Sequence, residues 1–97
     1  MYARVARWEG GDPEAIRRSV AEIGSRAQSG PPEGVDSKGF LLLADSENGK
    51  TIAIGLFETE DAYRRGDEVL DSMSPPEDGM GQRVAVEKYE VGVKIDL

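Results

Sequence analysis

The residues of this chain that could do chemistry are few, and the first group lies at its start. Tyr2, Arg4 and Trp8 alternate along a predicted first strand, so they share one of its faces. An indole ring can stack on a flat ligand, and a guanidinium group can hold an oxygen or a carboxylate. The opposite face carries Ala3 and Val5, whose small side chains suit a helix packed close. We therefore predict that the bulky face looks away from the helices and binds a ligand.

A second candidate group lies near the end of the chain. Tyr89 and Glu87 are two residues apart in a predicted strand, so they could form a hydroxyl–carboxylate pair that moves a proton. A buried tyrosine that only needs a hydrogen-bond partner gives the same pattern. The structural alternative for the first group is packing in the core of a dimer, with Arg4 paired to Glu87 or Glu90. Arg83 could likewise form a structural pair with Glu87.

Two phenylalanines, Phe40 and Phe57, are predicted to contribute to the same cleft as Trp8. Aromatic side chains in strands more often pack in the core, and that alternative stays open. The predicted ligand-binding set is therefore Tyr2, Arg4, Trp8, Phe40 and Phe57.

The composition excludes several classes of chemistry. The chain has no histidine and no cysteine, which removes a histidine general base, thiol catalysis and the usual zinc and haem ligands. The acidic residues lack a calcium-loop spacing, so we predict no metal and no cofactor. Twelve basic against nineteen acidic residues give a net charge of -7, which argues against nucleic acid. The absence of an apolar span or secretory signal favours a cytoplasmic protein that does not enter a membrane.

These residues must be positioned by six predicted elements in one domain, residues 1–97. In chain order we predict a strand at 2–8, a helix with Asp12 as N-cap, strands at about 38–45 and 50–58, a helix with Thr59 as N-cap, and a strand at 83–95. Asn48-Gly49 predicts a type I′ hairpin turn between the middle strands, and Pro75-Pro76 should end the second helix. Gly66, at the centre of that helix's apolar stripe, predicts close approach of helix to sheet.

The two middle strands are apolar on both faces. Phe40 and Leu42 point to one face, and Leu41 and Leu43 point to the other. A strand with one solvent-exposed face would instead alternate apolar and polar residues. Two helices can cover only one face of the sheet. We therefore predict that the second face is covered by another copy of the chain. The long last strand changes phase near residues 88–90, which predicts a bulge or a tail that leaves the sheet.

The βαββαβ order predicts an α+β, ferredoxin-like fold: a four-stranded antiparallel sheet with two helices on one face. Over residues 2–95 the chain resembles the dimeric α+β-barrel superfamily, and within it the antibiotic-biosynthesis-monooxygenase-like group. The segments that carry the resemblance are Tyr-Ala-Arg-Val, Gly-Phe-Leu-Leu-Leu-Ala, Phe-Glu-Thr-Glu-Asp-Ala and Val-Glu-Lys-Tyr-Glu-Val. The resemblance implies a homodimer in which two sheets pack face to face and close a barrel.

The resemblance also implies a range of activities, from cofactor-free oxygenases and haem-degrading enzymes to small isomerases. Such enzymes commonly depend on an asparagine, often with a tryptophan and a histidine. The single asparagine here, Asn48, is already explained by the hairpin, and histidine is absent. The leading hypothesis is a non-catalytic homodimer that binds a small apolar or aromatic metabolite between its sheets. The alternatives are a cofactor-independent monooxygenase or isomerase that acts on a quinol-like substrate with Trp8, Arg4, Tyr89 and Glu87, and a purely structural dimerisation domain.

Overall fold

The computed structural model describes residues 1–73 and 79–97 and contains six elements in the predicted βαββαβ order. They are β1 (Tyr2–Glu9), α1 (Pro13–Ala27), β2 (Gly39–Asp45), β3 (Lys50–Phe57), α2 (Glu60–Asp71) and β4 (Gln82–Glu90). The predicted helix stop at Pro75-Pro76 lies outside the described residues. Among the residues that are described, no helix is both long enough and apolar enough to cross a membrane.

The four strands form one antiparallel sheet in the order β2-β3-β1-β4. The strands β1 and β2, which flank α1 in the chain, are separated in the sheet by β3. The strands β3 and β4, which flank α2, are separated by β1. This order is consistent with a ferredoxin-like fold. The helix α2 contacts the central strands β1 and β3, and α1 contacts β2. The helices thus form one layer and the sheet forms a second. The α+β prediction is confirmed at this level.

Both helices begin where the sequence predicts. The side chain of Asp12 accepts a hydrogen bond from the amide of Ala15 at 3.0 Å, and Thr59 accepts one from the amide of Ala62 at 3.1 Å. These caps satisfy amide groups that have no partner within the first helical turn. Local sequence chemistry is therefore enough to set the helix starts.

The prediction for which face of β1 meets the helices is wrong. Arg4 Nε donates to Asp67 Oδ1 in α2 at 2.7 Å, so the face with Tyr2, Arg4 and Trp8 lies beneath the helices. Phe57, directly opposite Tyr2 in the register, packs against α2 and is fully buried. Side-chain size misled the prediction, because Asp67 supplies the opposite charge that lets an arginine lie under a helix.

The helix α2 approaches the sheet closely at Gly66, as predicted. A Cβ atom at this position would lie 2.5 Å from the ring of Phe57. Around this point Val35, Phe57, Ala62 and Tyr63 form the buried cluster. Only a residue without a side chain lets the helix backbone rest on the phenylalanine ring.

The hairpin between β2 and β3 is confirmed, but its predicted turn type is not. Asp45 pairs with Lys50 in the register, so four residues connect the strands. Gly49 has a φ of 69°, whereas no residue other than glycine has a positive φ among those the structure describes. A type I′ turn needs positive φ at both central residues, so Asn48 does not form one. Its side-chain amide instead donates to Asp45 at 2.8 Å.

The last strand is shorter than predicted. It ends at Glu90, and residues 91–97 carry no strand, so the phase change in the sequence marks the point where the chain leaves the sheet. The register irregularity lies opposite Arg7 and Trp8 rather than near residues 88–90. It places Arg83 beside Asp71 of α2, at 2.5 Å, which corrects the predicted Arg83–Glu87 pair.

Candidate ligand-binding site

A cavity of about 590 Å³ lies between the sheet and the helices, and we call it the sheet–helix cavity. Its floor is the helix-covered face of β1, β2 and β3. The register places the residues of this face in three rows across the strands: Phe40–Gly55–Arg4, Leu42–Ala53–Ala6 and Ala44–Thr51–Trp8.

The hollow exists because the middle of the floor is built from small residues. Gly55 and Ala53 follow each other on one face of β3, and Ala6 continues the second row on β1. The larger side chains Phe40 and Trp8 line the cavity on either side of them. A helix that spans such a floor cannot fill the space above the small residues, because its distance from the sheet is set elsewhere, at contacts such as that of Gly66.

The walls of the sheet–helix cavity are mostly apolar. Ile23 and Ala27 contribute from α1, Leu70 from α2 and Met73 from just beyond its end, while the buried side chain of Met80 lines it from the segment before β4. A concave site with apolar walls and few polar groups is typical of small-molecule binding sites in proteins.

Four of the five predicted ligand-binding residues line this cavity: Arg4, Trp8, Phe40 and Phe57. Tyr2 does not. It packs against the cluster around Phe57, and the amino group of Lys88 lies 5.2 Å from the centre of its ring. The sequence therefore brings together four residues that do line one cavity, while the structure places that cavity between the sheet and the helices.

Two polar side chains in the cavity wall are almost completely buried. Arg4 is 5% exposed and Thr51 is 1% exposed. Arg4 Nη2 and Thr51 Oγ1 have no hydrogen-bond partner among the residues that the structure describes. A buried polar atom without a partner costs about 1–3 kcal/mol. A ligand that reaches these atoms recovers that free energy.

Tyr63 flanks the Arg4–Asp67 ion pair without lining the cavity. Burial raises the pKa of its phenol, the charge of Asp67 raises it further, and the charge of Arg4 opposes both effects. The ring meets Phe57 edge to face, with the ring centres 5.6 Å apart. Tyr63 therefore stays protonated at neutral pH and acts as packing that fixes the ion pair in place.

The predicted Tyr89–Glu87 pair forms, but on the opposite face of the sheet. Tyr89 donates its hydroxyl hydrogen to Glu87 Oε2 at 2.9 Å, and Arg7 Nε donates to Glu87 Oε1 at 2.6 Å. Both hydrogen bonds stabilise the carboxylate, the one from Arg7 most, and lower the pKa of Glu87. The same carboxylate raises the pKa of Tyr89.

The structure does not bring together the four residues of the enzymatic alternative. Arg4 and Trp8 lie on the helix-covered face, whereas Glu87 and Tyr89 lie on the helix-free face. The predicted pairing of Arg4 with Glu87 or Glu90 is also wrong, since Arg4 pairs with Asp67. In the described part of the chain, no group of three or more acidic residues is placed to hold a metal ion.

Sequence reasoning missed Thr51 and Asp67 at the site and Arg7 on the other face. Arg7 could have been found, because it shares the strand face of Ala3 and Val5. Asp67 gave no signal, because it lies 63 residues from Arg4 and meets it only through the packing of α2.

The sequence matches no known protein-family model, and no curated protein is significantly similar to it. The molecule is therefore described by its fold and its cavity alone. It is a small α+β protein, consistent with a ferredoxin-like fold, with a mostly apolar sheet–helix cavity lined by Arg4 and Thr51, each of which has a buried polar atom without a partner.

Proposed function

We propose that this protein binds a small, mostly apolar or aromatic molecule in the sheet–helix cavity. The observation that carries the proposal is the pair of buried atoms without partners, Arg4 Nη2 and Thr51 Oγ1, on two residues of a mostly apolar cavity lining. Apolar surface supplies affinity in such a site, and a few fixed polar groups supply orientation.

The two polar residues stand at opposite ends of the cavity floor. Arg4 pairs with Gly55 across the strands and Thr51 pairs with Trp8, so the two rows are four residues apart along β3. Four residues of strand span roughly 13 Å. The cavity thus suits an elongated molecule with an apolar middle over Ala53 and hydrogen-bonding groups towards its ends.

This proposal places the ligand within one subunit rather than between two sheets. Trp8, Phe40 and Phe57 line the cavity beneath the helices, whereas Tyr89 is the one aromatic residue on the helix-free face of the described strands. We favour binding over catalysis, because a reaction that used Tyr89 and Glu87 with Trp8 would need groups from both faces of one sheet.

We further propose that two copies pair through the helix-free face, as in the dimeric α+β-barrel superfamily and its antibiotic-biosynthesis-monooxygenase-like group. Leu41 and Leu43 are 53% and 47% exposed on this face, next to the half-buried Ile52 and Ile54 of β3. A contiguous apolar face of this kind is typical of an interaction surface.

A titration tests the ligand-binding proposal. We expect 2-acetylnaphthalene, a neutral aromatic ketone, to shift backbone amide signals of β3 residues on the cavity floor in a ¹⁵N correlation spectrum. Ala53→Leu fills the middle of the floor and should weaken binding by about tenfold or more. Ala21→Leu is the matched control, because Ala21 is exposed on α1 and lies outside the cavity lining.

Unchanged affinity in a folded Ala53→Leu protein would place the binding elsewhere and overturn the proposed site. Absence of binding to the wild-type protein across a panel of neutral aromatic compounds would favour the purely structural alternative.

A further inference from the structure

The positive charge of Arg4 is already balanced within the protein. Its Nε atom donates to Asp67 Oδ1 at 2.7 Å, while Nη2 remains buried and without a partner in the described residues. What Arg4 lacks is therefore one hydrogen-bond acceptor, and not a counter-charge.

The other cations that line the cavity are balanced as well. Arg26 pairs with Glu22 at 2.7 Å, and Lys38 pairs with Asp36 at 3.2 Å. Both members of each pair are exposed to solvent. The charge around the site is therefore close to neutral, in a chain whose net charge is -7.

A ligand carboxylate would be poorly accommodated at Arg4. It would place a second negative charge beside the one that Asp67 already contributes, next to a single guanidinium group. Transfer of a carboxylate from water into such a site costs free energy, and the site has no unpaired positive charge whose attraction would offset that cost. A neutral carbonyl oxygen loses less hydration and still accepts a charge-assisted hydrogen bond.

We propose that the ligand of the sheet–helix cavity is electrically neutral and presents a carbonyl-type oxygen to Arg4 Nη2. The inference rests on the proposed function and names the chemical class of its ligand. Asp67 acts as the residue that sets this preference, because its charge decides whether an anion is accepted.

A matched pair of probes tests the preference in the wild-type protein. 2-Acetylnaphthalene and 2-naphthoate share a ring system and differ in size by little, but only the second is charged at neutral pH. We expect calorimetry to show that the ketone binds about tenfold or more tightly than the acid. Equal affinity, or tighter binding of the acid, would overturn the inference.

Asp67→Asn then tests the reason for the preference. The amide keeps the shape of the side chain and removes its charge, so Arg4 becomes an uncompensated cation. We expect the ratio of ketone affinity to acid affinity to fall by about tenfold. Asp71→Asn is the control, because Asp71 lies one turn further along α2 and pairs with Arg83 outside the cavity lining.

The outcomes separate the inference from the proposed function. An unchanged ratio in Asp67→Asn overturns the role of Asp67, and with it the inference, while ligand binding itself stands. If neither probe binds the wild-type protein, the proposed function fails and the inference fails with it. The wild-type comparison needs no variant, so it decides the preference even if Asp67→Asn does not fold.

Discussion

Glu87 shows how a single residue can serve two partners on an open sheet face. It accepts hydrogen bonds from Arg7 on β1 and Tyr89 on its own strand. All three side chains are partly exposed, so solvent screens the ion pair and its contribution to stability is small. The cluster therefore does more to fix side-chain positions than to hold the sheet together.

The titration of Tyr89 should depend on Glu87. The hydrogen bond to the carboxylate and the negative charge both raise the pKa of the phenol, so Glu87→Gln should lower that pKa towards its ordinary value, about 10. Because folding raises the pKa of Tyr89, its protonated phenol stabilises the folded protein at any pH below the unfolded-state pKa. This stabilisation is lost as the pH rises through the folded-state pKa. The pH dependence of the Tyr89 Cζ signal in a carbon NMR spectrum measures the shift.

Glu90→Gln is the control for this titration, because Glu90 lies opposite Tyr2 on the other face of β4. It should leave the Tyr89 signal unchanged. Identical titration curves for Glu87→Gln and the wild-type protein would show that the hydrogen bond is not formed in solution.

At the scale of elements, the position of α2 on the sheet depends on Gly66. The ring of Phe57 occupies the space that a side chain would need, and the buried cluster with Tyr63 forms around this contact. The same contact helps to set the height of the helix above the small residues of the cavity floor. Helix packing and cavity volume are thus linked.

Gly66→Ala should destabilise the protein, although alanine is normally the better helix former. The added Cβ would meet the Phe57 ring at 2.5 and 2.7 Å, so we expect a loss of about 1–3 kcal/mol from overpacking. Urea unfolding measures the change. Gly24→Ala is the matched control within α1, where a Cβ would have no neighbour within 4 Å, and it should gain up to about 1 kcal/mol. A gain in both variants would contradict the close helix–sheet contact.

At the scale of the whole molecule, the sheet separates two different surfaces. One face carries the helices and the cavity, and the other presents the side chains of Leu41, Leu43 and Tyr89, each about half exposed. The tail after Glu90 adds the exposed Val93 and Ile95 beyond the end of the sheet. The proposed dimer would cover this helix-free face and leave the cavity of each subunit intact.

Leu41→Lys combined with Leu43→Lys should convert the proposed dimer into a monomer. Both side chains are half exposed in the single subunit, so two charges there should spare the fold but prevent the sheets from packing. Sedimentation at micromolar concentration measures the mass, and circular dichroism checks the fold. Ala21→Lys with Ser25→Lys adds the same two charges to the exposed side of α1 and should leave the dimer in place. A wild-type monomer at micromolar concentration would overturn the proposed assembly.

The sequence by itself determined the features that depend on neighbours along the chain. Local hydrogen bonds set the helix starts at Asp12 and Thr59. The positive φ that glycine allows favours the hairpin turn that ends at Gly49. The element order then led to the antiparallel sheet, because few topologies connect such elements without crossing. The three aromatic residues that line the cavity, Trp8, Phe40 and Phe57, were found in the same way, from their position on strands.

Only the tertiary structure decided which sheet face meets the helices. Alternation along a strand has a period of two and divides the residues into two faces, but it does not say which face is covered. That choice depends on contacts between residues far apart in the sequence, Arg4 with Asp67 and Phe57 with Gly66. These contacts exist only when α2 is packed on the sheet, and they place the cavity between the sheet and the helices.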